Sequence, residues 1–159
     1  MILTAGCEKQ IKNTAPPPPP SSFTADLSVK YCGTELKANI TQQSFDEFEV
    51  KIITPEILSD LTLNYSNGEC TVKYEGLEFN TDASRFPQAE FGSLLTNALT
   101  AVSQNIDIQK TFESGIWTYK GLLDRGEFSI TQNAENGDWI CFTVQAADLT
   151  VSFSNLTRK

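Results

Sequence analysis

From Phe23 onward apolar and polar residues alternate in short runs. Ala25, Leu27, Val29 and Tyr31 take turns with Asp26, Ser28 and Lys30. Leu36, Ala38 and Ile40 alternate with Lys37, Asn39 and Thr41, and Phe48, Val50 and Ile52 with Glu49 and Lys51. A period of two puts the apolar members of a run on one face of a strand. Such runs predict antiparallel strands with one face on a core and one in water. Leu61, Leu63 and Tyr65 form another run, then Val72 and Tyr74, with Asn67-Gly68 between them. Asn-Gly predicts a hairpin there, because both central residues of a tight turn need positive φ. Between Pro87 and Gln104 the period lengthens. Phe91, Leu94, Leu95, Ala98, Leu99 and Val102 fall on one helical stripe, and Thr96, Asn97, Thr100 and Ser103 fill the opposite face. Pro87 suits a first helical turn, and Glu90 favours the positive end of the helix. Strand patterns resume over Ile116 to Gly121, Glu127 to Gln132, Trp139 to Gln145 and Leu149 to Phe153, with Asn136-Gly137 as a second hairpin signal. The pattern predicts about ten strands whose sequential neighbours pair. The expected class is α+β, mostly β, an antiparallel meander with one amphipathic helix packed on the sheet.

The first 22 residues follow no such pattern. Pro16 to Pro20 form an unbroken run followed by Ser21 and Ser22. Proline fixes φ and lacks an amide donor, so the run predicts a polyproline II rod of roughly 15 Å at about 3.1 Å per residue. Ahead of it, Leu3-Thr4-Ala5-Gly6-Cys7 resembles a bacterial lipobox, in which small residues fit a narrow peptidase cleft and the cysteine is then acylated. That resemblance implies lipid attachment at Cys7, and two acyl chains suffice for stable anchoring. Three segments are therefore expected: a signal-peptide remnant with lipobox over 1–7, a Pro-rich tether over 8–22, and a domain over 23–159. The expected location is the outer face of the bacterial cytoplasmic membrane.

Composition narrows the chemistry. The 159 residues carry 12 Lys+Arg and 20 Asp+Glu, a net charge of −8, and no histidine. The acidity argues against nucleic acid, whose phosphates need clustered cations. Without histidine, the usual acid/base group near neutral pH and the commonest metal ligand are missing, so neither catalytic residues, a metal site nor a cofactor is expected. Asn133, Glu135, Asn136 and Asp138 share one segment whose spacing is that of a turn, not of an EF-hand. With Cys7 assigned to lipid, Cys32, Cys70 and Cys141 remain, an odd number whose pairing the sequence leaves open. Cys70 shares a face with Val72 and Tyr74 and is expected to point inward.

The meander, the proline-started helix and the second meander together resemble the LolA/LolB-like lipoprotein-carrier superfamily. Closer still is the likeness to small lipoproteins of Clostridia-type bacteria. It is carried by Ile53-Thr54-Pro55, Leu61-Thr62-Leu63-Asn64-Tyr65, Val72-Lys73-Tyr74-Glu75-Gly76-Leu77, Thr118-Tyr119-Lys120-Gly121, Gly126-Glu127-Phe128-Ser129-Ile130-Thr131 and Leu149 to Phe153. The resemblance implies a half-open barrel closed by helix, with an apolar groove between. Val50, Leu63, Val72, Tyr74, Leu95, Leu99, Trp117, Phe128 and Phe142 are the expected groove lining. The function so implied is a non-catalytic, membrane-anchored monomer that binds a lipid or other amphiphile. The alternative is a tethered module with a filled core that binds an envelope protein. A connected apolar pocket of roughly 300 Å³ or more would favour the first.

Overall fold

A computed structural model describes residues 15–159. Cys7 and the lipobox lie outside the described residues. Eleven strands form one antiparallel sheet. The first meander comprises β1 (Phe23–Tyr31), β2 (Thr34–Ser44), β3 (Glu47–Thr54), β4 (Thr62–Ser66), β5 (Glu69–Tyr74) and β6 (Leu77–Thr81). Helix α1 (Pro87–Gln104) follows. The second meander comprises β7 (Gln109–Glu113), β8 (Ile116–Leu123), β9 (Gly126–Asn133), β10 (Trp139–Val144) and β11 (Leu149–Arg158). The sheet order is β6-β5-β4-β3-β2-β1-β11-β10-β9-β8-β7.

That order explains the shape. β1 and β11 pair in the middle, with Leu27 opposite Phe153 and Val29 opposite Val151. Each meander then runs outward to its own edge. α1 links the two edges and lies across the concave face, touching β4, β5 and β8. The result is the expected half-open barrel with one helix packed on it.

Local chemistry sets these elements. Asn67 and Gly68 both adopt positive φ, 50° and 79°, so the β4–β5 hairpin turns in two residues as its sequence predicts. The second signal behaves differently. Of Asn136 and Gly137 only the glycine has positive φ. Asn133 Oδ1 instead accepts from the Glu135 amide at 2.8 Å, and Asn136 Oδ1 from the Asp138 amide at 2.9 Å. The link between β9 and β10 is thus a longer loop pinned by asparagine side chains. These bonds occupy oxygens of the segment weighed for calcium.

α1 begins at Pro87, carries Glu90 in its first turn, and ends on Asn105 in the left-handed region at φ 54°. Its stripe is buried as the spacing predicts: Phe91, Leu95, Ala98 and Leu99 are essentially inaccessible. Thr96, expected on the polar face, is buried too. A helix sunk into a curved sheet is covered over a wider arc than one resting on a flat one. Gly92 shows how tight the fit is. A Cβ there would sit 2.7 Å from the Tyr65 ring carbon that bears the hydroxyl, and that hydroxyl donates to Ala89 O at 2.7 Å. The Tyr65 ring lies against the helix backbone at this point, a distance only glycine permits.

β6 and β7 are the strands that alternation does not announce. Every residue of β7 is exposed, and β6 is exposed save for a half-buried Thr81. Strand periodicity records burial of one face, and these strands bury neither. The proline run also departs from a free rod: Pro20 is buried, and Pro16, Pro17 and Pro19 are half-buried. Pro17 reaches Gly137, beside which Arg158 donates to Asn136 O and pairs with Asp138 at 3.2 Å.

Candidate functional site

The nine residues expected to line a groove are gathered on the concave side. Val50, Leu63, Val72, Leu95, Leu99, Phe128 and Phe142 are buried in one continuous core. Each strand contributes its inward members, with Val50 opposite Leu63 and Leu63 opposite Val72 across β3, β4 and β5. Phe128 and Phe142 face each other at 6.2 Å between ring centroids, on the far side of the helix stripe. Burying each such side chain contributes about 1.5–3 kcal/mol. Tyr74 and Trp117 are partly buried at the rim of the core. Trp117 stacks obliquely on Phe112, with centroids 5.1 Å apart. The helix thus occupies the space in which a carrier would hold its cargo.

A polar knot fixes the helix start. The Tyr31 hydroxyl donates to Glu90 Oε2, and Arg125 Nε reaches Glu90 Oε1 at 3.4 Å. Glu90 therefore ties α1 to the end of β1 and to the β8–β9 turn. Burial, and then the hydrogen bond to this carboxylate, hold the Tyr31 pKa well above the ordinary tyrosine value. Neither partner is signalled by sequence spacing, since the three residues are far apart in the chain. A second polar pair lies inside the sheet. The Tyr119 hydroxyl donates to Gln132 Oε1 at 2.6 Å, Gln132 Nε2 donates to Gly137 O at 2.9 Å, and burial pushes the Tyr119 pKa up to about 12.

Beside the knot a cleft of about 710 Å³ opens between β5–β6, the outer side of α1 and the β8–β9 turn. Four carboxylates line it: Glu69, Asp82, Glu90 and Asp124. Arg125 is the one cation in that lining, and it is engaged by Glu90. Hydrogen bonds from the Ser84 side chain and backbone hold the Asp82 carboxyl below the usual carboxylate range. Leu94, Leu122 and Leu123 supply its apolar part. The volume suits a ligand, yet this charge would repel an anionic headgroup and would not solvate an alkyl chain.

The cysteines are placed apart. Cys70 is buried, as its strand position predicts, and burial raises its thiol pKa. Cys141 pairs with Ser152 on the convex side, and Cys32 is exposed in the β1–β2 turn. Cys70 and Cys141 thus lie on opposite faces of the sheet.

Some exposed apolar side chains lie on the edge strands, among them Leu77, Phe79 and Phe112; others, such as Ile57, lie in loops. Leu77 and Phe79 on β6 are 67% and 50% exposed, and Leu122 beside the cleft 80%. Opposite them in β5 stand Tyr74 and Val72, so Leu77 and Phe79 face the concave side, beyond the reach of the helix. Among the described residues, β6 and β7 end the sheet without a further strand. No described helix is long and apolar enough to cross a membrane.

No protein-family model matches the chain, and no curated protein is detectably similar in sequence. Solved structures share its fold. An uncharacterised conserved protein from Thermus thermophilus superimposes with a TM-score of 0.55 at 10% identity, over 87% of this chain and 79% of that one. A chain of the complex between the CwlD amidase from Clostridioides difficile and the GerS lipoprotein superimposes at 0.53 and 16% identity, over 87% of this chain and 85% of that one. A LolA superfamily protein from Nitrosomonas europaea aligns at 0.48 and 7% identity, over 89% of this chain and 87% of that one. At these identities the likeness to the first two is one of fold alone.

Proposed function

We propose that this chain is a non-catalytic interaction module of the bacterial cell envelope. Lipid on Cys7 holds it as a monomer at the outer face of the cytoplasmic membrane, and it docks a partner protein through the open side of its half-barrel. The observation that carries this reading is the filled concave face. Seven of the nine residues expected to line a groove are core, five on the sheet and Leu95 and Leu99 on the helix that covers it, while Leu77 and Phe79 are left exposed at the sheet edge. The absence of histidine supports a non-catalytic role. The fold likeness to a chain of an amidase–lipoprotein complex supports a protein partner.

The carrier reading is favoured by one feature, the 710 Å³ cleft, and its carboxylate lining weighs against a lipid there. Native mass spectrometry of the full chain, purified without detergent, separates the two. A mass free of bound amphiphile is the expected result. A stoichiometric lipid would replace the module by a carrier. The anchor is tested by partition: the wild-type chain should follow the membrane fraction and Cys7→Ser should be released, whereas a wild-type chain found wholly in the aqueous fraction would refute lipid attachment.

A further inference from the structure

The two free edges of the sheet are not equivalent, and the difference points to how a partner binds. On β7 the inward face carries Lys110, which the register places opposite the buried Tyr119. An inward-pointing lysine at a sheet edge blocks the addition of another strand. The apolar residue beside it, Phe112, is already stacked on Trp117. β6 has no such guard. Its inward positions are Leu77, Phe79 and Thr81, and its outward ones Glu78 and Asn80.

The hydrogen-bonding groups of β6 face outward at defined residues. Tyr74 and Leu77 flank the two-residue turn Glu75-Gly76 and so form a hydrogen-bonded pair. Alternation along the ladder then gives Phe79 and Thr81 their bonds to β5, and leaves the amide and carbonyl groups of Glu78 and Asn80 pointing away from the sheet. The two open residues are exposed, and no described strand takes them up.

We infer that β6 is a docking edge for an extended segment of a partner protein in which apolar and basic side chains alternate; this rests on the module reading above. A strand added to β6 would obey the same pleat. Its concave-facing side chains would meet Leu77 and Phe79, which calls for apolar residues. Its convex-facing side chains would meet Glu78, whose exposed carboxylate already pairs with Lys73 at 3.6 Å across the β5–β6 ladder, so a lysine or arginine of the segment would share that carboxylate. Where β6 ends at Thr81 the acidic cleft begins, so a further basic residue of the segment would lie near Glu69, Asp82 and Asp124. The net charge of −8 draws a cationic segment in at long range.

The test uses the full-length chain and a fluorescent ten-residue peptide of alternating valine and lysine, followed by anisotropy. Saturable binding that weakens as salt rises is expected, and the same peptide with glutamate for lysine should not bind. Asn80→Pro removes an outward amide without costing a ladder bond, so it should leave the melting curve nearly unchanged and weaken binding about tenfold. Glu78→Lys should weaken it similarly. Absence of saturable binding, or binding indifferent to Asn80→Pro, overturns the proposal. If Lys110→Pro abolishes binding and Asn80→Pro does not, the edge assignment falls and the module reading stands. If sedimentation shows a dimer that Asn80→Pro dissociates, the occupant of β6 is a second copy and the partner segment is refuted. A bound lipid in the native mass spectrum fells the module reading itself.

Discussion

The middle of the sheet and its edges are built from the same kind of hairpin, yet they do different things. In β1 to β5 and β8 to β11 nearly every inward side chain is covered by α1 or by its opposite strand. In β6 and β7 the same pleat continues, but the helix no longer reaches it. One helix is long enough to fill the concave face and too narrow to cover both edges. The middle therefore carries stability, and the edges carry available surface. In a carrier the order would be reversed, with an open middle and closed edges.

That contrast can be broken at the middle first. Phe91→Ala removes a fully buried ring from the helix stripe and should cost about 3–5 kcal/mol in denaturant unfolding. A loss below about 1 kcal/mol would mean that the concave face is loosely filled. Gly92→Ala should cost about 1–3 kcal/mol by forcing the Tyr65 ring off its seat. It should also be accompanied by loss of the Tyr65 to Ala89 bond, visible in the hydroxyl's exchange.

Next comes the knot at the helix start. Glu90→Gln should cost about 1 kcal/mol, since Arg125 is half-exposed and its pairing is screened. In a spectrophotometric titration it should also move the Tyr31 pKa downward, though not to the ordinary value, because burial is the larger cause. The same tyrosines set the alkaline limit. Tyr31, Tyr65 and Tyr119 all have pKa values raised by folding. The folded state therefore holds these protons more tightly, and the contribution is intact below the ordinary value of 10.0. It is lost as pH climbs through the folded values, about 12 for Tyr119. Melting temperature should fall steadily above about pH 10, and a flat profile there would contradict the burial of these hydroxyls. The smallest effect belongs to the edge. Phe79→Ala should change stability by less than about 0.5 kcal/mol, and a larger loss would place Phe79 in the core.

Much of the middle is legible in the sequence. Alternation marks β1 to β5 and β8 to β11 because those strands bury one face, and the stripe from Phe91 to Val102 marks α1. Asn67-Gly68 is legible because its conformational demand is local. What is not legible is either unburied or long-range. β7 leaves no apolar periodicity because it is not covered. Leu77 and Phe79 do alternate with Glu78 and Asn80, but over too short a run to stand out. The union of Tyr31, Glu90 and Arg125 exists only once β1, α1 and the β8–β9 turn converge. The seating of Pro20 and the burial of Thr96 likewise follow from tertiary curvature. The expected groove residues share the concave face, but periodicity cannot distinguish the wall of a cavity from the floor of a filled core.

Residue-resolved amide hydrogen exchange on the full chain tests that distinction between middle and edge most directly. The amides of Val50, Leu63, Ile130 and Phe142 should exchange only through global unfolding, while those of Glu78 and Asn80 should exchange nearly as fast as in an unfolded peptide. Strong protection at Glu78 and Asn80, or fast exchange across the concave residues, would contradict the account.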